Sequence, residues 1–235
     1  MAFEDFTTTL YKKTRFFNQN HKIFSHIKAL FEGCSITLTP NDFLFRARKI
    51  EPEDFDILDK EDNFLGFAKK DSFVPKRKDM RSNRANSSGI PCLYAARDEK
   101  TAISEIRPFL CNEISIATIR PVRNLKLFDL YFSLEQHYNE IIKPPHSDFW
   151  FNIALKYSVP YENSMRNEYL LTQCISEYVQ LEGFDGIQYA SSLNEGGKNI
   201  VIFNCKHEEE GGKYEICEPI CSTIRYIKRI EHYFE

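Results

Sequence analysis

The sequence predicts one main domain of the α+β class, with helices and strands mixed along the chain. Its 235 residues are enough to form one substantial core. Hydrophobic residues make up 42% of the chain, including 20 Phe and 12 Tyr, which is typical of a packed globular protein. Helical and strand-like segments alternate without regular strand–helix–strand units, and this pattern argues against a doubly wound parallel sheet.

The first predicted elements are a helix and then a strand. Apolar residues recur at helical spacing over 20–33, and Asn20 is positioned to cap that helix. The segment FLFRARK (43–49) alternates as a strand does. Arg46 and Arg48 are therefore predicted to share one strand face.

The stretch 50–91 is predicted to be a long loop with short irregular elements, because it is polar and contains scattered Pro, Gly, Ser and Asn. Its part 69–84, the basic segment, has many more basic than acidic residues. The cations are Lys69, Lys70, Lys76, Arg77, Lys78, Arg81 and Arg84, against Asp71 and Asp79. Such a segment either gathers phosphate or nucleic acid, or is a solvated basic loop.

The middle of the chain predicts a strand, a helix and two further strands. CLYAA (92–96) has the composition of a short strand, and Asp98 is positioned to cap a helix over 99–107. Strand-like runs follow at 114–119 and 125–130.

The second half predicts an insertion, a helix and a hairpin. Residues 132–166 are rich in aromatics and interrupted by prolines, which indicates a partly helical insertion. The helix predicted over 168–182 has a continuous apolar stripe and Asn167 as its N-cap. It leads into a hairpin with strands GIQYA (186–190) and NIVIFN (199–204).

Charge and motifs exclude several functions. The net charge of −3 leaves no overall field to attract nucleic acid, which is therefore not an expected partner. No P-loop, G-x-G-x-x-G or G-x-S-x-G motif occurs, which argues against kinases, dehydrogenases and serine hydrolases.

The cysteines and the N-terminus predict a cytoplasmic protein. Seven cysteines without a CxxC pair are typical of reduced thiols. Cys217, Cys221 and His207 match no common zinc spacing, so no metal site is expected. The sequence shows neither the apolar core of a signal peptide nor an apolar run of membrane length, so a membrane is not an expected partner.

Three charged residues are candidates for an anion-binding or catalytic site. Arg46 faces either solvent or a polar cleft. Arg84 precedes a Gly-containing turn, where a guanidinium and backbone N–H groups can converge on a pyrophosphate. Glu105 falls beside the apolar line of its predicted helix, where it either faces a cleft or pairs with Lys100 or Arg107 at the surface.

Aromatic and small polar residues add further candidates, each with two interpretations. Tyr94 either stacks on a flat ring or packs in the core. Ser191 and Ser192 either bind a substrate or cap a turn. Asn86, in the turn after Arg84, is a candidate for substrate binding.

Four segments together resemble the RES domain, a bacterial NAD-consuming family named for an arginine, a glutamate and a serine. They are FLFRARK (43–49), NRANSSGIPCLYAA (83–96), EKTAISEIRP (99–108) and GFDGIQYASS (183–192). Each segment alone is compatible with an ordinary strand, turn or helix. Their order and combination carry the resemblance.

The resemblance implies a fold similar to ADP-ribosyltransferases, with a split central β-sheet flanked by helices around an NAD cleft. The catalytic residues would be Arg46, Glu105 and Ser191, and the substrate-binding residues Arg84, Tyr94, Asn86 and Ser192. The family has an aromatic residue after the arginine that corresponds to Arg84, whereas this chain has Ala85.

Domain boundaries also follow from the resemblance. Residues 1–40 would be a helical lead-in, and 41–205 the NAD-binding catalytic domain with its insertion at about 132–166. Residues 206–235 would be a C-terminal extension, for which no element is predicted.

Enzymes of the family cleave NAD to nicotinamide by hydrolysis or phosphorolysis, and many are toxins neutralised by an antitoxin. The resemblance therefore implies NAD as substrate, inorganic phosphate as a candidate co-substrate, and no cofactor. Candidate partners are an antitoxin and a second copy of the chain. Two alternatives stay open: transfer of ADP-ribose to a protein or nucleic acid, and non-catalytic binding of a nucleotide or nucleic acid through the basic segment.

Overall fold

The computed structural model describes residues 2–12, 21–57, 63–132, 147–159 and 169–229. Its helices are α1 (Ala2–Lys12), α2 (Lys22–Leu30), α3 (Glu99–Glu105), α4 (Ser147–Ser158) and α5 (Leu170–Leu181). Its strands are β1 (Ser35–Leu38), β2 (Leu44–Ile50), β3 (Leu93–Ala96), β4 (Glu113–Pro121), β5 (Leu125–Leu130), β6 (Gly186–Ala190), β7 (Lys198–Ile202) and β8 (Cys217–Tyr226).

The described strands form one mixed sheet with the order β1-β5-β6-β7-β3-β2-β4-β8. β5 and β6 run parallel, and the other neighbouring strands are antiparallel. A mainly antiparallel sheet with helices packed on it belongs to the α+β class. The predicted fold class is therefore confirmed.

The sheet is nearly divided between β2 and β3. Within the described sheet a single residue pair, Phe45 with Ala96, joins these two strands. By contrast, β2 and β4 pair at seven positions, and β3 and β7 at four. Beyond Phe45 and Ala96 the two strands diverge, as the split sheet implied by the resemblance requires.

Two apolar clusters cover the two faces of the sheet. The first packs α1, α2, α4 and α5 against the sheet through Phe6, Ile27, Phe128, Tyr157, Ile175, Ile187, Tyr189, Val201 and Phe203. The second, on the opposite face, contains Leu44, Phe73, Leu93, Ile119, Leu127, Ile200 and Ile202. Neighbouring residues such as Ile200 and Val201 therefore belong to opposite faces, as the period of two in a strand requires.

Element boundaries differ from the prediction in a few places. α2 is capped by His21, whose Nδ1 accepts a hydrogen bond from the Ile23 amide. The predicted cap Asn20 and the predicted cap Asn167 of α5 lie outside the described residues. α3 ends at Glu105, two residues earlier than predicted.

The sequence did not predict α1 and β1, α4 within the insertion or β8 in the C-terminal tail as separate elements. In the described part of the insertion α4 is helical, and the segments 133–146 and 160–166 lie outside the described residues. No element was predicted after Asn204, yet β8 forms ten residues of the sheet beside β4. No described helix is long and apolar enough to cross a membrane.

Candidate active site

A cleft of about 770 Å³ opens where β2 and β3 diverge. Its described polar and aromatic lining residues are Arg46, Arg84, Arg107, Glu105, Phe45, Tyr94, Tyr169, Tyr189, Asn83 and Asn199. The described lining residues therefore include three arginines and one acidic residue, Glu105. This composition suits an anionic substrate with a flat ring.

Glu105 is the last residue of α3, and its carboxylate is held by the sheet. Oε1 accepts hydrogen bonds from Ser191 Oγ at 2.7 Å and from Asn199 Nδ2 at 2.6 Å. No described residue donates a hydrogen bond to Oε2. Within the described part of the chain, the carboxylate thus keeps one oxygen without a donor, and Glu105 lines a wall of the cleft.

The helix that carries Glu105 forms because its start is well capped and its inner face is apolar. Asp98 accepts a hydrogen bond from the Thr101 amide at 2.8 Å, as predicted for this N-cap. Ala102 packs against Ala47 and Ala96 in a small cluster beneath α3. These small side chains let the helix approach the gap between β2 and β3.

Ser191 caps a turn, which is one of its two predicted interpretations, and it also binds Glu105. Its Oγ donates to Glu105 and also accepts hydrogen bonds from the Leu193 and Asn194 amides, at 3.1 and 3.2 Å. The turn that Ser191 caps therefore orients the donor toward Glu105. Ser192 is exposed and is not among the residues that line the cleft.

Arg46 and Arg48 share one face of β2, as predicted, and both reach the segment 71–73. Arg46 Nε donates to the Phe73 carbonyl at 2.7 Å, and Arg48 donates to the Asp71 carbonyl at 2.7 Å. Arg46 lines the cleft, whereas Arg48 does not. Burial, with a smaller contribution from Arg48, lowers the pKa of Arg46 to about 10, so it stays charged at neutral pH.

Arg84 is buried and connects the cleft to α4. Its Nη1 donates to the carbonyls of Tyr157 and Ser158, the last two residues of α4. A cation is favourable at this end of a helix because unpaired carbonyls carry partial negative charge there. The guanidinium also lies 5.5 Å from the centre of the Tyr189 ring. Arg84 therefore has a structural role as well as a place in the cleft wall.

Tyr94 and Asn86 bind each other rather than both facing the cleft. The Tyr94 hydroxyl donates to Asn86 Oδ1 at 2.7 Å and accepts from the Ala85 amide at 3.0 Å. Asn86 Nδ2 donates to the Arg81 and Ser87 carbonyls. Tyr94 lines the cleft, while the buried Asn86 shapes the turn behind it.

Asn199, Tyr189, Tyr169 and Arg107 line the cleft but were not predicted as site residues. A signal existed for two of them. Tyr189 precedes Ser191 by two residues on the same strand face, and Asn199 begins the otherwise apolar run NIVIFN. The two residues are direct neighbours in the pairing of β6 with β7.

Most of the basic segment lies outside the cleft. Lys70 and Lys76 both form ion pairs with Glu209, and Lys69 pairs with Glu218. Of residues 69–84, Asn83 and Arg84 line the cleft. Acidic residues after β7 therefore neutralise part of the basic segment. Among the described residues, His, Cys, Asp and Glu form no group of three that could hold a metal ion.

The family model of the RES domain matches residues 66–221. This match spans about two thirds of the chain and includes Arg84, Tyr94, Glu105 and Ser191. The chain belongs to the RES domain family. Arg46 precedes the matched range, so its assignment to the RES site depends on the cleft geometry.

The chain is also similar to solved structures. One is a chain of the MbcT–MbcA toxin–antitoxin complex of M. tuberculosis, with a TM-score of 0.45 and 11% sequence identity. The alignment covers 88% of this chain and 93% of that chain. No curated protein sequence matches the chain.

Proposed function

We propose that this RES domain protein cleaves NAD at the bond between nicotinamide and ribose. The observation that carries the proposal is the Glu105 carboxylate, held through Oε1 on the wall of a cleft that three arginines also line. RES domain enzymes act on NAD, and membership of the family supports the same substrate here.

The chemistry of this bond suits a single carboxylate. Nicotinamide leaves NAD as a neutral molecule because its ring nitrogen is cationic while bound to ribose, so no general acid is needed. The ribose carbon becomes cationic in the transition state, as in other glycoside cleavages. A preorganised carboxylate stabilises that charge, and Glu105 Oε2 is the oxygen we assign to this role.

Arginines of the cleft suit the pyrophosphate of NAD. Arg46 uses Nε to bind Phe73, and neither of its Nη atoms donates to an acceptor in the described part of the chain. A guanidinium with two available donors binds phosphate oxygens in a bidentate manner. We assign Arg46 to this contact, with Arg84 and Arg107 adding positive charge nearby.

Tyrosine rings suit the flat ring systems of NAD. Tyr94, Tyr169 and Tyr189 all line the cleft. The Tyr94 hydroxyl is held by Asn86 and Ala85, which fixes the ring in place. We assign Tyr94 to stacking on nicotinamide, since a fixed ring loses little conformational freedom when a ligand binds.

The nucleophile is either water or inorganic phosphate. In both cases an oxygen of the nucleophile bonds to the ribose carbon as the bond to nicotinamide breaks, and the proton of the nucleophile is released to solvent. Water yields ADP-ribose, and phosphate yields ADP-ribose 1-phosphate. Depletion of NAD in the cytoplasm would make the protein toxic to the cell that produces it. A protein partner that blocks the cleft would then act as an antitoxin.

The basic segment supports the alternative of a nucleic-acid binding module less than its sequence suggested. Its Lys70 and Lys76 are engaged by Glu209, so the segment presents less net charge than its sequence suggests. Charge reversal at Lys76, Arg77 and Lys78 should leave nicotinamide release unchanged. Loss of nucleic-acid binding without loss of release would show a second, separate activity.

Nicotinamide release from NAD by the purified protein tests the proposal. It should be measured with and without inorganic phosphate, for the wild type, for Glu105→Gln and for Glu99→Gln. Glu99 lies on the same helix but pairs with Arg225 at the surface, so it is a matched control. Release should fall by about 100-fold or more in Glu105→Gln, to a rate that can still be measured, and be kept in Glu99→Gln.

The phosphate dependence separates the two reactions. Release that requires phosphate identifies a phosphorylase, and release without phosphate identifies a glycohydrolase. If NAD binds but no nicotinamide appears under either condition, the proposal is wrong. Transfer of ADP-ribose to a macromolecule would then be the next activity to test.

A further inference from the structure

We propose that Asn199 is a positioning residue that orients the Glu105 carboxylate for catalysis. This inference rests on the proposed function of the cleft. Asn199 Nδ2 lies 2.6 Å from Glu105 Oε1, and only 3% of the Asn199 surface is exposed. A buried amide this close to a carboxylate forms a short, charge-assisted hydrogen bond.

The backbone of Asn199 is held on both sides. It lies in β7, where it pairs with Tyr189 of β6 on one side and with Ala96 of β3 on the other. Strands inside a sheet are more rigid than loops or helix ends, because both neighbours constrain them. The Asn199 donor therefore has a well-defined position relative to the cleft.

Glu105, by contrast, is poorly fixed by its own helix. It is the final residue of a seven-residue helix, and the chain turns into a left-handed conformation at Arg107, with φ of 47°. A glutamate side chain has several rotatable bonds and loses considerable conformational entropy when it is ordered. The position of the carboxylate thus depends on its hydrogen-bond partners.

The two donors act on the same carboxylate oxygen. Ser191 and Asn199 both bind Oε1, while no described residue binds Oε2. This arrangement sets the rotation of the carboxylate and, as far as the described residues go, leaves Oε2 for the substrate. Because Asn199 also lines the cleft, a substrate bound there would meet an oxygen whose direction is already set.

The consequence should be a loss in kcat rather than in binding. A catalytic group misplaced by 1 Å can reduce the rate by about 100-fold. Asn199→Leu preserves the approximate size of the side chain but removes the donor. We expect it to lower kcat by about 10- to 100-fold and to change KM by less than about threefold.

Gln188→Leu is a matched control for the loss of a buried amide. Gln188 lies on the adjacent strand β6 and is 4% exposed. Its Nε2 donates to the Asp129 carboxylate at 2.9 Å, and neither residue lines the cleft. Gln188→Leu should match Asn199→Leu in loss of thermal stability but keep the kcat of the wild type.

A double-mutant cycle with Glu105→Gln tests whether Asn199 acts through Glu105. In that background, Asn199→Leu should reduce the remaining rate by less than about twofold, since the group it orients is already gone. An equal loss in both backgrounds would overturn the inference.

Crystal structures provide a test that does not depend on turnover. In Asn199→Leu the Glu105 carboxylate should leave its present rotamer, and in Gln188→Leu it should keep it. An unchanged carboxylate in Asn199→Leu contradicts the inference even if the wild type is active. If the wild type releases no nicotinamide but the Glu105 carboxylate is displaced in Asn199→Leu, the proposed function is refuted. The positioning role of Asn199 then stands.

Discussion

Ser191 Oγ donates a hydrogen bond of 2.7 Å to Glu105 Oε1, although the two residues are 86 positions apart in the chain. The bond connects the end of β6 to the end of α3. It brings together the serine and the glutamate that the resemblance to the RES family assigned to one site. In this protein the serine contacts the carboxylate rather than the cleft itself.

Replacement of Ser191 by alanine should lower kcat for nicotinamide release. A hydrogen bond to a charged group contributes about 1.5–3 kcal/mol, which corresponds to about 10- to 100-fold in rate if the bond matters in the transition state. Ser192→Ala is the control, because Ser192 is adjacent but exposed. Equal kcat values for the two variants would exclude a role for Ser191 in orienting Glu105.

Arg46→Gln should weaken NAD binding and raise KM about 10-fold, because it removes a charge-assisted contact to phosphate. Arg48→Gln should leave KM unchanged. Arg48 stacks 4.0 Å from the centre of the Phe67 ring and binds Asp71, so its loss should lower the melting temperature. Steady-state kinetics and thermal unfolding of both variants separate the two roles.

Arg84→Gln should destabilise the protein by about 1–3 kcal/mol, because two buried carbonyls at the end of α4 lose their donor. Urea unfolding measures this loss. An unchanged free energy of unfolding would show that Arg84 does not anchor α4. Any change in KM for this variant should be interpreted only after its stability is known.

Arg107→Gly should be more stable than Arg107→Ala by about 1 kcal/mol, because a non-glycine residue is strained at a φ of 47°. If Arg107 contributes charge to the cleft, both variants should have a raised KM for NAD. Differential scanning calorimetry and steady-state kinetics of the pair would test the two effects independently.

Stability should fall at alkaline pH through buried thiols. Burial raises the pKa of Cys92 to about 12 from an ordinary value of 9.0. Between these values the thiol ionises in the unfolded chain but not in the folded one, so rising pH favours unfolding. Below pH 9.0 this contribution to stability is fully present.

Cys92→Ser removes that titration. Urea unfolding at pH 8 and pH 10 should show a smaller loss of stability for Cys92→Ser than for the wild type. An equal loss in the two proteins would mean that Cys92 ionises in the folded state as readily as in the unfolded chain.

Much of the site could be predicted because its residues lie in recognisable local patterns. The alternation of FLFRARK predicted that Arg46 and Arg48 share a face, and Asp98 was predicted to cap the helix that ends at Glu105. Both features depend on residues a few positions apart. Arg46 could not be distinguished from Arg48 in this way, because only the divergence of β2 and β3 decides which of them lines the cleft.

The sequence by itself determined the α+β class, most of the local elements and the membership of the RES family. Periodicity, capping and turn chemistry depend on near neighbours, so they are visible in the chain. Tertiary structure alone decided that Asn199 binds Glu105, that Arg84 anchors α4, and that β8 joins the sheet. These contacts join residues that are far apart in sequence, and they form only when the whole sheet has assembled with its strands in order.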